Sequence, residues 1–516
     1  MGLLGSILSR RRFMGNSASV GAALAMPMIA PGKAQADLPS DLTALSAAQL
    51  SSAIRAGQVS CVETMRAYLE RIDQYNPVYN AIVSRLDDDT CIEQAGRADE
   101  ELARGEYRGW LHGIPHAVKD LADAVGLPTS RGSPIFAGTM PESDDLHIAR
   151  IRNAGAIFIG KTNVPEFGMG SQSYNSVFGV TRNAYDQALA AGGSSGGAAV
   201  GMATRMLPIA DGSDMMGSLR NPAAFNNVIG FRPSQGRVPR TPGDLFYNQL
   251  STNGPMGRNV EDTIRLLDTM AGFDPRAPMM MRDELPGFEA YRVRELEGLR
   301  IGWMGDYDGY LATEPGVLEL CERSLSILET HGARVDRVLP DFDMDRLWRC
   351  WLALRHWSHA GRQPMLNDPD LRRQLKPEIV FEIQGSLDLT AADITTASET
   401  RADWYLELHS LLASFDFLVL PSAQVFPFPA EVHWPREIDG HAMDTYHRWM
   451  EVVIGGTLAG VPVLNLPVGF DARGRPMGMQ LIGPMGADQS VLETGLAYEL
   501  VTEHLERRPN PVESSA

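Results

Sequence analysis

Cysteine is scarce, with four in 516 residues, at Cys61, Cys91, Cys321 and Cys350. No two of them form a C-x-x-C pair, which excludes a zinc ribbon and a thioredoxin-type redox motif. Cys61 and Cys91 fall in helical patterns, where a buried thiol is expected, and nothing in the sequence pairs the four into disulfides. H-E-x-x-H is absent. His112 and His116 are four apart, but Pro115 between them breaks the helix that would set them on one face, so no metal site is read. Lysine is as scarce as cysteine: of 46 basic residues only Lys33, Lys119, Lys161 and Lys376 are lysine. Against 64 acids the formal net charge is −18. That excludes the basic surface nucleic acid requires and opposes docking on anionic lipid. No repeat, low-complexity tract or Pro/Ser-rich linker divides the chain.

Residues 1–36 read as a targeting segment. Ser9-Arg10-Arg11-Arg12-Phe13-Met14 has the form of a twin-arginine signal, an apolar stretch over 18–30 follows, and Ala34-Gln35-Ala36 is a small-x-small cleavage site. The stretch is too short, and too rich in Gly, Ser and Pro, to hold a bilayer. The expected location is the bacterial periplasm. Residues 37–516 are then the folded domain. Length alone allows about three domains, yet strand-like runs alternate with helical patterns without a break, which favours one α/β unit.

What is present is concentrated between residues 192 and 220. The chain reads GGSSGG at 192–197, then an apolar run, then GSDMMGSLR at 212–220. Glycine permits positive φ and close approach to the main chain. A serine in such a loop presents its hydroxyl and neighbouring N–H groups to one substrate atom, the equipment of acyl transfer. The first half also fits G-x-S-x-G with Ser195 central. A nucleophile elbow needs a strand directly before it, and residues 188–191 carry no β-branched run, so that reading is rejected.

Together the two halves resemble the amidase signature family, whose pattern is GGSSGG followed by GTDTGGSIR. In that family the nucleophilic serine follows a second serine, held by a cis peptide, by 24 residues; here Ser218 follows Ser194 by 24. The family's third member is a lysine ending an apolar strand before aspartate. The matching stretch runs from Gly113 through Val118 to Lys119 and Asp120. The resemblance spans about residues 42–508, with its three motifs in the family's order. It implies a single domain built on a large, mixed, twisted β-sheet covered by helices on both faces. It also implies a small-molecule amide as partner and no cofactor or metal, in a monomer or homodimer free of the membrane once the signal is removed.

The resemblance further assigns roles. Neutral Lys119 takes a proton through Ser194, Ser218 attacks the carbonyl, and the backbone N–H groups of Met215, Met216, Gly217 and Ser218 hold the oxyanion. Asp214 and Arg220 brace the loop. Ser171 and Gln172 lie in a loop the family places over the nucleophile and are expected to touch substrate. One departure stands out: Met215 and Met216 occupy the family's Thr and Gly positions. Two alternatives stay open, a catalytically inactive member used for binding and a glutamyl-tRNA amidotransferase A-like subunit.

Beside the resemblance, the residues make their own case for lysine. No His–Asp pair has recognisable spacing near Ser218, so the base is sought elsewhere. A free lysine has a pKa of about 10.4, and holding it neutral at pH 7 costs about 4.6 kcal/mol. Burial lowers a lysine pKa by roughly 3–5, and Lys119 closes an apolar strand. Lys161, in GKTN after a strand, is its rival.

The remaining elements are expected as follows. Helices cover 61–74 (capped by Ser60), 88–103, 146–153, 195–203, around 317–330, 444–458 and 489–504. Strands cover 113–118, 156–159, 207–210, 299–303, 334–338, 416–421, 462–466 and 477–482.

Overall fold

Helix starts follow their capping residues. Ser60 accepts the Glu63 N–H while the Glu63 carboxylate accepts the Ser60 N–H, opening the helix Cys61–Tyr79; Asp87 opens Asp88–Ala103 by accepting the Thr90 N–H. Each cap satisfies N–H groups that the first turn leaves unpaired. The structure, a computed structural model, describes residues 38–240, 246 and 249–511. The targeting segment lies outside the described residues.

Two sheets carry the architecture. In the smaller, β1 (Ile82–Val83) and β2 (Pro115–Lys119) flank β3 (Ile157–Thr162), β2 parallel and β1 antiparallel to it. The larger contains β4 (Ala210–Asp214), β5 (Ile229–Arg232), β6 (Thr252–Gly257), β7 (Arg300–Trp303), β8 (Arg334–Arg337), β9 (Phe417–Pro421), β10 (Val463–Phe470) and β11 (Pro476–Ile482). Their order is β8-β7-β9-β11-β10-β5-β6-β4. β7 runs parallel to β8 and β9, and the other pairs are antiparallel, so the sheet is mixed.

Helices cover both faces of this sheet. Successive strand residues point to opposite sides. Leu464 on β10 meets Gly495 of the helix Asp488–Val501. Its neighbour Asn465 points the other way, towards Gly478 on β11, where Ala224 of the helix Arg220–Asn226 also comes into contact. Every residue of β11 is buried, as two covered faces require. From Pro39 onward the chain forms one compact unit. Among the described residues no helix is long and apolar enough to cross a membrane.

Asp211, on the edge strand β4, ties the two sheets together. Its Oδ1 accepts the Lys119 N–H at 3.2 Å and lies 2.9 Å from His116 Nε2. All three residues are buried. The end of β2, which carries Lys119, is thereby held against β4, and the loop that leaves β4 carries Ser218.

Several expected elements need correction. The strand expected at 207–210 lies at Ala210–Asp214. Its sequence, ADGSD, has no β-branched residue, and it is a strand because β6 pairs with all five residues; pairing overrides propensity. The helix expected at 444–458 is a 3-10 stretch over Arg448–Val453, then a short helix Ile454–Ala459, with a non-helical φ of −123° at Met450. The closing helix stops at Val501, where Thr502 turns extended. β3 continues past residue 159 to Thr162 and so includes Lys161.

Candidate active site

Lys119 ends β2 with its side chain almost wholly buried, at 1 % exposure. Nζ lies 2.9 Å from Ser194 Oγ, 2.7 Å from Ser195 Oγ, 3.1 Å from Ser213 Oγ and 3.1 Å from the Ser213 carbonyl. Burial pulls its pKa down to about 7, against the opposing pull of Asp211 and Asp214. The Ser213 carbonyl can only accept, so it takes one N–H. A neutral amine then keeps a second N–H and a lone pair for the hydroxyls around it.

The GGSSGG loop crosses over this lysine. The Gly193–Ser194 peptide is cis. Glycine is required at 197 by crowding: a Cβ there would come within 2.4 Å of the Ala81 carbonyl oxygen and the Asn163 nitrogen. Ser171 holds the loop from below, its hydroxyl donating to the Gly193 carbonyl at 2.7 Å and accepting the Gly193 N–H at 3.2 Å. Ser173 Oγ donates to the Gly192 carbonyl at 2.9 Å.

The second loop leaves β4. Gly217 sits at φ +75°, and a Cβ there would fall 2.0 Å from Asn221 Oδ1, so no other residue fits without rearrangement. Asp214 organises the turn. Its carboxylate accepts the N–H groups of Gly217 (2.9 Å) and Leu219 (3.1 Å) and both the Nε and Nη2 of Arg220 (3.0 and 2.9 Å). Burial alone would raise the Asp214 pKa, but Arg220, with help from Arg232, holds it well below the usual carboxylate range. The bracing expected of Asp214 and Arg220 is therefore seen in the contacts. Of the four N–H groups expected to face an oxyanion, that of Gly217 is already donated to Asp214. Those of Met215, Met216 and Ser218 have no such acceptor among the described residues.

Lys119, Ser194, Met215, Met216 and Ser218 line one cavity of about 400 Å³. The Ser218 hydroxyl has no hydrogen-bond partner among the described residues, an openness common in nucleophiles without bound substrate. Ser195 is fully buried and does not line the cavity; of the two adjacent serines in the GGSSGG loop, Ser194 is the one that touches both the lysine and the cavity, as Ser213 does from β4. Lys161 is not brought to this cluster: its Nζ donates to the Ala122 carbonyl at 2.5 Å.

Ser171 and Gln172 need correction. Neither lines the cavity. Ser171 is committed to Gly193, and Gln172 Nε2 donates to the Ala430 carbonyl at 2.7 Å, with both side chains buried. The polar loop was legible in sequence, but the side it faces was not. Sequence reasoning missed Ser213 and Asp211, although Ser213 lies within the recognised motif at 212–220 and Asp211 directly before it. It also missed the far wall, where the helix Met344–His359 and the turn after it bring Arg355, His359 and Arg362 to the cavity. Arg355 donates to Glu382 Oε1 at 2.9 Å and to the sulfur of Met215 at 2.8 Å. All four cysteines are buried free thiols. Among the described residues no group of three or more His, Cys, Asp or Glu is placed to hold a metal ion.

Residues 63–492 match the family described as Amidase. The chain belongs to the amidase signature family. This amidase is 30 % identical over 470 residues to an acylamidase of Rhodococcus erythropolis, covering 90 % of this chain and 97 % of that one. It is 33 % identical over 493 residues to the glutamyl-tRNA(Gln) amidotransferase A subunit of Symbiobacterium thermophilum, covering 90 % and 98 %. Among solved structures it superposes on a bacterial aryl acylamidase with a TM-score of 0.83 at 26 % identity, covering 90 % and 98 %. A peptide amidase from Stenotrophomonas maltophilia gives 0.75 at 26 %, covering 91 % and 99 %. Amide hydrolysis is accordingly the reaction of this chain.

Proposed function

We propose that this amidase cleaves a small carboxylic amide through an acyl-enzyme on Ser218, with Ser194 and Lys119 as the proton relay. The observation that carries the reading is the buried Lys119 Nζ at 2.9 Å from Ser194 Oγ, on the wall of the cavity that Ser218 also lines. Nζ, when neutral, accepts the Ser194 proton as Ser194 accepts that of Ser218. Ser218 Oγ adds to the carbonyl carbon, and the resulting oxyanion is held by N–H groups of Met215, Met216 and Ser218. Collapse breaks the C–N bond, and the relay returns the proton to the departing nitrogen, releasing ammonia or an amine. Water, deprotonated by the same relay, adds to the ester and releases the carboxylate and free Ser218.

A fluorophosphonate tests this directly, since only an activated serine displaces its fluoride. The expected result is one covalent adduct, mapped by mass spectrometry to Ser218 and lost in Ser218→Ala. An adduct on Ser194 or Ser195, or none, would reject the assignment and favour the inactive binding protein in the second case. The amidotransferase reading is favoured by the relatives that carry that name. It predicts release of ammonia from glutamine in preference to other amides.

The proposed site of action is the periplasm, because the arginine pair lies before an apolar stretch and a small-x-small site. Changing Arg10 and Arg11 together to lysine should leave the precursor in the cytoplasm. Cell fractionation reads this, and unchanged periplasmic activity would show the signal reading to be wrong.

A further inference from the structure

Four arginines line the cavity, and three have a carboxylate to answer them. Arg131 lies 3.8 Å from Asp123. Arg355 is bonded to Glu382. Asp145 is the acid neighbour of Arg240. Arg362 differs. Among the described residues no carboxylate lies within 4 Å of it. Its Nη1 donates to His359 Nδ1 at 2.9 Å, and its guanidinium carbon stands 5.6 Å from the centre of the Phe167 ring. Burial, then the like charges of Arg131 and Arg355, push its pKa down from the ordinary value.

His359 completes the asymmetry. An arginine N–H can only donate, so Nδ1 is an acceptor here and carries no proton. Burial and the charges of Arg355 and Arg362 hold this imidazole neutral, its pKa well below the usual. The proton is therefore on Nε2. That N–H is buried without any acceptor among the described residues, and His359, 4 % exposed, lines the cavity. The Nε and Nη2 groups of Arg362 likewise have no protein acceptor among the described residues. A part-buried cation without a counter-charge, beside an unpaired buried donor, is costly unless a ligand supplies the acceptors.

We propose that Arg362 and His359 form a carboxylate subsite, so that the preferred substrates are amides that also carry a carboxylate elsewhere in the molecule. The Nε–Nη2 edge of a guanidinium matches the two oxygens of a carboxylate, and the His359 Nε2–H supplies a further donor. The inference rests on the amidase reading only in taking this cavity for the substrate's. The chain's own net charge, −18, gives no general attraction for anions, so the preference must come from these residues.

The test uses two matched pairs: glutaric acid monoanilide with its methyl ester, and 4-acetamidobenzoate with its methyl ester. In at least one pair the acid should be cleaved with kcat/KM about 10- to 100-fold above the ester, the worth of a charge-assisted hydrogen bond. Cleavage is followed at the anilide bond by product chromatography. Arg362→Gln should abolish that preference by raising KM for the acid, with the ester little changed, and Arg362→Lys should retain part of it. Equal treatment of acid and ester in both pairs, or an equal loss on both in a folded Arg362→Gln protein, would overturn the proposal. Binding of glutarate to Ser218→Ala protein, by calorimetry, separates the two readings. Saturable binding that Arg362→Gln removes supports the subsite even if no anilide is cleaved, in which case the amidase reading alone fails. Glutarate binding unaffected by Arg362→Gln counts against the subsite.

Discussion

Replacing Lys119 by arginine is expected to lower kcat by about 10²- to 10⁴-fold or more, the usual worth of general-base assistance. The charge is kept and the lone pair is lost, because a guanidinium stays protonated at any working pH. If Lys119 served only as a positive charge, the variant would retain much of its activity. The wild-type pH profile supplies an independent reading. Below about pH 7 Lys119 carries its proton and cannot accept another; above it the amine is neutral. The rate should therefore rise through an apparent pKa near 7, far below that of a free lysine, about 10.4, and Lys119→Arg should lose that rise. Folding must be read alongside, by circular dichroism and Tm, since four oxygens crowd this site and a guanidinium is larger than an ammonium. A folded Lys119→Arg protein with near wild-type turnover would refute the base assignment. Lys161 would not then be the obvious substitute, since its ammonium is turned to the Ala122 carbonyl.

Asp214→Ala should cost about 3–5 kcal/mol of stability, the penalty for breaking a buried ion pair from one side. Asp214, Arg220 and Arg232 all have side chains at 0 % exposure. Removing the carboxylate strands two guanidinium groups without a counter-charge and frees the Gly217 and Leu219 N–H groups that define the turn around Ser218. Urea denaturation of purified protein measures the loss, with failure to accumulate as folded protein as its extreme form. A loss below about 1 kcal/mol, the range of an exposed pair, would mean the loop is braced by other contacts. Turnover in any folded fraction should fall as well, because the turn carries both the nucleophile and the N–H groups beside it.

The catalytic candidates were legible because their loops are constrained locally. Gly197 and Gly217 stand where a Cβ would collide with backbone or with Asn221, so the chain must write glycine there, and the serines beside those glycines keep a fixed spacing. Ser213 and Asp211 went unread although the first lies inside the motif at 212–220 and the second adjoins it. Their importance arises where β2 and β4, strands of different sheets, are brought side by side, and no local pattern records that. The strand at Ala210–Asp214 was misplaced for the same reason: its residues have weak strand preference, and the pairing partner β6 begins only at Thr252. Ser171 and Gln172 were read as substrate contacts because a polar loop near the nucleophile looks alike from either side.

By itself, then, the sequence determined the family and the reaction type and singled out Lys119, Ser194 and Ser218 as candidates, since each rests on spacing within a short stretch that steric constraint preserves. It also determined helix starts where a capping serine or aspartate precedes the first turn. Tertiary structure alone decided how far the Lys119 pKa falls, since that depends on what buries the side chain. It alone decided which of two adjacent serines touches the cavity, Ser194 and not Ser195, since that depends on the way the loop crosses the lysine. It also decided what faces Ser218 from across the cavity. Arg355 and Met215 are 140 residues apart in the chain and 2.8 Å apart in space. The helix Met344–His359 becomes a wall of the cavity only once packing has set it against the loop that holds Ser218.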